Sequence, residues 1–175
     1  MSGAVPLWAA GVCDGLQAAG VTHIVYVPDN PLSHVLRYFG VRFPDIRLVL
    51  ATREEEAFGI AAGLYLGGRR AAVLLQSSGV GNSVNALTTL LIPYEIPVPM
   101  VVSMRGDAGE WNPAQTPMGR GIRGIFDAIA VPHVTVDSAE AAAGVVSSAA
   151  RSSFESRTTR ACLLPRLLTT ATPEV

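Results

Sequence analysis

The chain has 175 residues, of which 49% are hydrophobic and 15% are charged, and its formal net charge is −1. A chain of this length can bury a substantial core, but it has no excess of basic residues with which to bind nucleic acid or an anionic membrane. The composition therefore predicts a single domain over residues 1–175, with a core over about residues 5–168, and excludes nucleic acid and membrane as partners.

Cysteine usage and the start of the sequence bear on the compartment. Cys13 and Cys162 lie in apolar segments far apart in the sequence, which predicts reduced core thiols rather than a disulfide framework or a metal site. No histidine, cysteine or carboxylate spacing is typical of a metal site. Neither a secretory leader pattern nor an apolar run of about 18 residues occurs. We therefore expect a cytoplasmic protein.

Strand and helix patterns alternate along the chain. Strands are predicted at 23–28, 47–51, 71–76, 98–104, 133–137 and 160–165, and helices at 5–19, 31–40, 55–67, 81–92, 119–130 and 138–154. This alternation is typical of a doubly wound, mostly parallel six-stranded α/β sheet with helices on both faces. Because ligands bind such sheets at the carboxyl ends of the strands, the segments that follow the strands are the candidate functional segments.

The first of these segments contains Pro28, Asp29, Asn30 and Pro31, after a predicted strand. The two prolines fix a short loop at the edge of the sheet. Residue types alone leave open whether Asp29 and Asn30 contact a ligand or act as ordinary turn formers and helix caps. His34, early in the next helix, is expected at the surface, with a position facing the ligand cleft as the alternative.

The second segment places an acidic cluster before a helix of small residues. Residues 47–51 have the pattern of a buried strand, and Glu54, Glu55 and Glu56 follow at the junction with the helix. A carboxylate there is expected to be poorly solvated, which raises its pKa. The alternative is that the glutamates only favour a helix N-terminus, at about 0.3–1 kcal/mol each. The small-residue helix needs a covering surface, which predicts a homodimer or higher oligomer.

Two further segments follow strands. Residues 76–83 are rich in glycine and serine, but they lack the lysine of a phosphate-binding loop and a complete Gly-x-Gly-x-x-Gly, so they indicate either a ligand contact or a structural turn. Residues 104–120 form a long loop rich in glycine and proline, and loops of this length are usually functional or disordered. Its arginines have the donor geometry for a sulfonate or phosphonate, or they bind a partner subunit or solvent.

Several of these motifs resemble a known family. Glu54, Ala57, the Gly59-Ile60-Ala61 run and Gly63 resemble the glutamate-bearing helix in the pyrimidine-binding domain of thiamine diphosphate enzymes. The segments at 25–32 and 104–120 resemble those of sulfopyruvate decarboxylase α subunits and phosphonopyruvate decarboxylases. The resemblance extends over roughly residues 5 to 168.

The resemblance implies roles for particular residues. In this family a glutamate hydrogen-bonds N1′ of the aminopyrimidine and promotes deprotonation of the thiazolium carbon; Glu54 matches it, with Glu55 as the second choice. The expected cofactor contacts besides Glu54 are Pro28, Gly79, Val80 and Asn82. The expected substrate contacts are Asn30, Arg105, Gln115 and Arg120.

The resemblance also implies a partner. Thiamine diphosphate enzymes hold the diphosphate and Mg²⁺ on a second domain marked by Gly-Asp-Gly, whereas Gly106-Asp107-Ala108 lacks the second glycine. A separate β subunit is therefore expected to hold both. The expected reaction is decarboxylation of a 2-oxoacid with a second anionic group, converting 3-sulfopyruvate to sulfoacetaldehyde.

Three alternatives remain. In the first, the substrate is phosphonopyruvate or another 2-oxoacid. In the second, the chain is a non-catalytic domain that stabilises or regulates a partner. In the third, it is a flavodoxin-like nucleotide-binding module, an interpretation that rests only on the α/β pattern and residues 79–81.

Overall fold

The computed structural model describes residues 5–170, so residues 1–4 and 171–175 of the predicted domain lie outside the described residues. The strands are β1 (His23–Tyr26), β2 (Arg47–Leu50), β3 (Ala71–Gln76), β4 (Pro99–Ser103), β5 (His133–Thr135) and β6 (Arg160–Leu164). The α-helices are α1 (Leu7–Ala18), α2 (Leu32–Arg42), α3 (Glu54–Leu66), α4 (Ser77–Ala86), α5 (Thr116–Ala128), α6 (Ala142–Ser156) and α7 (Arg166–Thr170). A π-helical turn (Leu87–Leu91) continues α4, and a 3₁₀ turn (Pro113–Gln115) precedes α5.

The strands form one parallel sheet in the order β2-β1-β3-β4-β6-β5. This confirms the predicted six-stranded, doubly wound α/β sheet. The chain passes from β1 outward to β2 and then returns to the other side of β1 to form β3. The carboxyl ends of β1 and β3 therefore flank the point where the strand order reverses, which is where open α/β sheets form a crevice.

Alternate side chains of the strands enter two hydrophobic cores, one on each face of the sheet. Val73 and Leu75 of β3 belong to the core beneath α3, α4 and α5. Ala72 and Leu74 of the same strand belong to the core beneath α1, α2 and α6. This division follows from the two-residue period of a strand, which sends successive side chains to opposite faces.

Both cysteines lie in the second core, free and buried, as the sequence predicts. The Cys13 thiol donates to the carbonyl oxygen of Val35 at 3.3 Å. Burial raises the pKa of Cys162 to about 12. Both thiols are therefore inert parts of the core.

The prediction that residues 47–51 form a buried strand is wrong about burial. Leu48 and Leu50 of β2 are 37% and 60% exposed, although Ala51 is buried. β2 lies at the edge of the sheet, and α3 packs against β1 and β3 instead. The apolar run therefore identifies the strand but not its position in the sheet.

The fourth helix begins at Ser77, directly after β3, rather than at residue 81. Gly79 and Gly81 are thus helical residues, and the predicted glycine-rich turn is absent. Glycine has low helix propensity, so this helix depends on packing against α3 and α5. In residues 5–170, no helix has both the length and the apolar character needed to cross a bilayer.

Candidate active site

Three polar side chains meet at the carboxyl edge of the sheet. Asp29, in the loop after β1, accepts a hydrogen bond from Gln76 Nε2 at 3.3 Å and another from Ser103 Oγ at 2.6 Å. Ser78 Oγ in turn donates to Gln76 Oε1. Asp29 therefore ties the β1 loop to the ends of β3 and β4, a role beyond that of a turn former. Gln76 and Ser103 are polar residues that end apolar strands, which is a signal that sequence reasoning missed.

Glu54 is the first residue of α3 and its side chain lies against the first turn of α4. A Cβ atom added to Gly79 would stand 2.3 Å from Glu54 Cγ and 2.6 Å from its Oε1, so only glycine leaves room for this carboxylate. Asn82 Nδ2 donates to Glu54 Oε2 at 3.5 Å. The side chain is half-buried. The structure thus brings together three of the residues predicted from sequence to contact one ligand.

The neighbouring glutamates have other partners. Glu56 Oε2 accepts hydrogen bonds from the Thr52 backbone N at 2.7 Å and from its Oγ1 at 2.5 Å. The Thr52 hydroxyl, followed by the Thr52 backbone, lowers the pKa of Glu56. Glu55 Oε1 pairs with Arg53 Nε at 2.6 Å. Glu56 therefore stabilises the start of α3, whereas Glu55 pairs with Arg53 through Oε1 and its Oε2 is buried with no hydrogen-bond partner among the described residues.

Other residues predicted to contact the cofactor have different surroundings. Val80 is fully buried in the core beneath α4, so it supports the helix rather than lining an open surface. Pro28 is exposed in the β1 loop. Gly81, two residues after Gly79 on α4, faces the end of Met118.

The loop after β4 is organised around Glu110. This carboxylate accepts hydrogen bonds from Arg105 Nε at 2.7 Å and Nη2 at 3.1 Å, and from the backbone N of Gly106 and Asn112. Its side chain is only 2% exposed. The Arg105 guanidinium is the main reason that the pKa of Glu110 is lowered to about 2. Arg105, predicted as an open anion fork, is thus held by an internal carboxylate.

Of the residues predicted to contact the substrate, two line a common cavity and two do not. Asn30 and Arg105 line the same cavity of about 200 Å³, together with His34, which is half-buried rather than on the open surface. Gln115 is half-buried in the 3₁₀ turn, and Arg120 is exposed on α5; of the residues described, neither is part of that lining.

Residues 8–111 match the family described as thiamine pyrophosphate enzyme, N-terminal TPP binding domain. The match covers α1 to the loop after β4, and so includes Glu54, Gly79 and Asn82. The chain therefore belongs to the thiamine pyrophosphate enzyme family, and the cofactor of this family is thiamine diphosphate.

Individual relatives are more specific. The chain is 45% identical to sulfopyruvate decarboxylase subunit alpha of Methanothermobacter thermautotrophicus over 121 residues, covering 69% of this chain and 73% of the relative. It is 41% identical to the protein of that name from Methanocaldococcus jannaschii, covering 69% of this chain and 71% of the relative. A phosphonopyruvate decarboxylase of Streptomyces viridochromogenes is 38% identical over 113 residues, which are 64% of this chain but 28% of that protein.

A solved structure shows the same fold. A 2-oxoglutarate:ferredoxin oxidoreductase from Magnetococcus marinus superposes with a TM-score of 0.73 at 13% identity, covering 93% of this chain and 29% of that chain. At this identity the likeness supports the fold alone.

The residues at the α3–α4 contact fit an aminopyrimidine. Glu54 offers a carboxylate whose hydrogen bond from Asn82 is long, at 3.5 Å, so it can still bind a ring nitrogen. Gly79 keeps the α4 backbone close to this carboxylate. In residues 5–170, no group of three histidine, cysteine or carboxylate residues lies together as a metal site.

Proposed function

We propose that this chain is the pyrimidine-binding α subunit of a thiamine diphosphate-dependent decarboxylase that converts 3-sulfopyruvate to sulfoacetaldehyde and CO₂ with a separate β subunit. The observation that carries the proposal is the Glu54 carboxylate held against Gly79 and Asn82, in a chain whose relatives are named sulfopyruvate decarboxylase subunit alpha. The buried, free thiols agree with a reducing compartment, so we assign the protein to the cytoplasm.

The residues have distinct tasks in this proposal. Thiamine diphosphate supplies the electron sink for the pair of electrons released with CO₂. Glu54 holds a proton at its carboxyl oxygen and shares it with the ring nitrogen N1′. Asn82 orients the carboxylate through its amide, and Gly79 gives the ring access to the helix backbone.

The β subunit completes the site. We assign the diphosphate and Mg²⁺ to that subunit, because the relatives are named alpha subunits and this chain lacks Gly-Asp-Gly. The chain is also proposed to form a homodimer or higher oligomer. Gly59 and Gly63 on the outer face of α3 have open space around them, and Leu66 is 76% exposed, so this face is available for another subunit.

A second substrate is supported by the Streptomyces relatives, which are named phosphonopyruvate decarboxylases. Sulfonate and phosphonate share the anionic oxygens that an arginine recognises, so residue types do not separate them. A panel of 3-sulfopyruvate, phosphonopyruvate and pyruvate, with released CO₂ as the readout, identifies the preferred substrate.

Calorimetric titration of thiamine diphosphate and Mg²⁺ tests the split site. We expect no binding to the purified chain alone and binding to the complex with the β subunit encoded beside it. Light scattering on the same samples is expected to show self-association of the chain. Tight cofactor binding to the chain alone contradicts the split site, the absence of binding in both samples favours a non-catalytic domain, and a monomer contradicts the homo-oligomer.

Gly79→Ala is expected to separate activity from stability. The new methyl group overlaps Glu54 Cγ, 2.3 Å away, so the carboxylate is displaced and decarboxylation by the complex falls about 10²-fold. Alanine is the better helix former by about 1 kcal/mol, which limits any loss of thermal stability. Steady-state rates and thermal unfolding measure both effects.

Gly81→Ala is the matched control on the same helix. Its new Cβ meets only the flexible end of Met118, with Cε 2.6 Å away, which can rotate aside. Activity is expected to stay within about twofold of wild type. Equal losses in the two variants would contradict the role of Gly79.

A further inference from the structure

A cavity of about 200 Å³ opens at the carboxyl edge of the sheet and is formed by three segments. Asn30 and His34 come from the β1 loop and α2, Arg105 and Trp111 from the loop after β4, and Arg166 from α7. A water molecule takes about 30 Å³ of liquid, so this space holds a group of several heavy atoms. Sequence reasoning assigned no role to Arg166.

The cavity wall carries two arginines that approach one carboxylate. Arg105 and Arg166 share one carboxylate, because Arg105 binds Glu110 through two hydrogen bonds and Arg166 Nε lies 3.8 Å from Glu110 Oε2. The side chains of the arginines are 15% and 13% exposed, and that of Glu110 is 2% exposed. Glu110 and Asp29 both act electrostatically on Arg105, so the charge of Arg105 is offset within the fold, and the guanidinium that is left to attract an anion is that of Arg166.

The two arginines differ in how many of their guanidinium nitrogens form hydrogen bonds. Within residues 5–170, Arg105 uses Nε and Nη2 for Glu110, whereas Arg166 uses only Nε, which donates to the carbonyl oxygen of Gly109 at 3.0 Å. The fork of Arg166, formed by Nη1 and Nη2, therefore has no partner in this part of the chain. A planar pair of N–H donors matches two oxygens of a sulfonate or phosphonate.

The cavity is connected by a hydrogen bond to α4, the helix that carries Gly79 and Asn82. The backbone N of Arg105 donates to Ser77 Oγ at 3.1 Å, and Ser77 is the first residue of α4, two positions before Gly79. Asn30, on the other wall, is next to Asp29, which is bonded to the ends of β3 and β4. One wall of the cavity is thus bonded, through the Arg105 backbone, to the start of the helix that carries Gly79 and Asn82.

We propose that this cavity binds the second anionic group of the substrate, the sulfonate or phosphonate, and that Arg166 is the residue that contacts it. Glu110 is a positioning residue, since it holds Arg105 through two hydrogen bonds, while Nη1 and Nη2 of Arg166 have no partner within residues 5–170. This inference rests on the proposed function, because it assumes that the substrate is a 2-oxoacid with a second anion.

Arg166→Gln and Arg166→Lys test the inference in the complex with the β subunit and cofactor. We expect Arg166→Gln to raise the KM for 3-sulfopyruvate about 10- to 100-fold, the range for a lost hydrogen bond to a charged group. The KM for pyruvate, which has no second anion, is expected to stay unchanged. Arg166→Lys keeps the charge but not the fork, so an intermediate KM is expected.

Binding of 3-sulfopropanoate, which has the carboxylate and sulfonate but no oxo group, gives a readout without turnover. Calorimetry is expected to show binding to the wild-type complex and weakening of about tenfold or more in Arg166→Gln. Arg151→Gln is the matched control, an exposed arginine of α6 whose hydrogen bonds go to Ser147. Thermal unfolding checks that each variant is folded.

The outcomes separate the two proposals. Wild-type values of KM and probe binding in folded Arg166→Gln overturn the subsite, as does a wild-type complex that does not bind 3-sulfopropanoate. A complex that binds the probe through Arg166 but decarboxylates neither sulfonated nor phosphonated 2-oxoacids supports the subsite and overturns the proposed reaction.

Discussion

Glu54→Gln is expected to reduce decarboxylation by the reconstituted complex by about 10²–10⁴-fold, the usual contribution of a general acid–base group. Glutamine keeps the size of the side chain against Gly79 and can still contact Asn82, but it cannot exchange a proton with a ring nitrogen. The structural effect is limited to a charge at the start of α3, worth about 0.3–1 kcal/mol. Steady-state rates with 3-sulfopyruvate and thermal unfolding measure the two effects.

Glu55→Gln is the matched control for this experiment. Glu55 is adjacent, similarly acidic and half-buried, but it pairs with Arg53. We expect it to retain activity within about threefold and to lose little stability, since exposed ion pairs contribute about 0–1 kcal/mol. Full activity in Glu54→Gln would overturn the catalytic assignment, and a severe loss only in Glu55→Gln would transfer the role to Glu55.

Glu110→Ala is expected to destabilise the chain by about 3–5 kcal/mol, the cost of removing one partner of a buried ion pair. The substitution leaves Arg105 and Arg166 without their shared carboxylate and removes the acceptor for the backbone N of Gly106 and Asn112. The loop after β4 then loses its central contact. The free energy of unfolding, from denaturant titration, measures the effect.

Asp107→Ala is the control in the same loop. Asp107 pairs with Arg123 at 3.0 Å, but these side chains are 19% and 37% exposed, so we expect a loss of about 1 kcal/mol or less. A loss as large as that of Glu110→Ala would show that the loop responds to any lost carboxylate rather than to the buried pair.

The Glu110 pair also predicts a pH dependence. Its folded-state pKa is about 2, below the ordinary 4.5, so its stabilisation is complete above pH 4.5 and is lost as the pH falls toward 2. The difference in unfolding free energy between wild type and Glu110→Ala should therefore shrink as the pH falls from about 4.5 to 2. A difference that is constant over this range would contradict the assigned pKa.

Much of the fold follows from local patterns. Each of the six strands was predicted within a few residues of its observed position, because apolar runs bounded by turn residues need no long-range information. The start of α4 was not predicted, because Ser77, Gly79 and Gly81 have low intrinsic helix propensity and packing against α3 and α5 decides their conformation. The exposure of β2 was missed because an apolar run does not reveal which strand takes the edge.

In the candidate site, too, some features were predicted from the sequence and others only the structure shows. Glu54, Gly79 and Asn82 were predicted from the residues themselves and the family motif that they resemble, and the structure brings these three residues together. Asp29 bridges two strand ends, at Gln76 and Ser103, that are 47 and 74 residues away in the sequence. A contact of this kind has no local signal, so sequence patterns gave only a turn former.

The sequence by itself determined the alternating α/β pattern, the acidic start of α3 and the small residues that follow it, because propensity and periodicity act over a few neighbouring residues. Only the tertiary structure decided which arginine keeps Nη1 and Nη2 without a partner in residues 5–170. Glu110 neutralises Arg105 from five residues away, while Arg166 reaches the same cavity from the far end of the chain. Such a choice depends on side chains that meet after the sheet has assembled, when burial distinguishes an arginine with two hydrogen bonds to Glu110 from one whose Nη1 and Nη2 have no partner in residues 5–170.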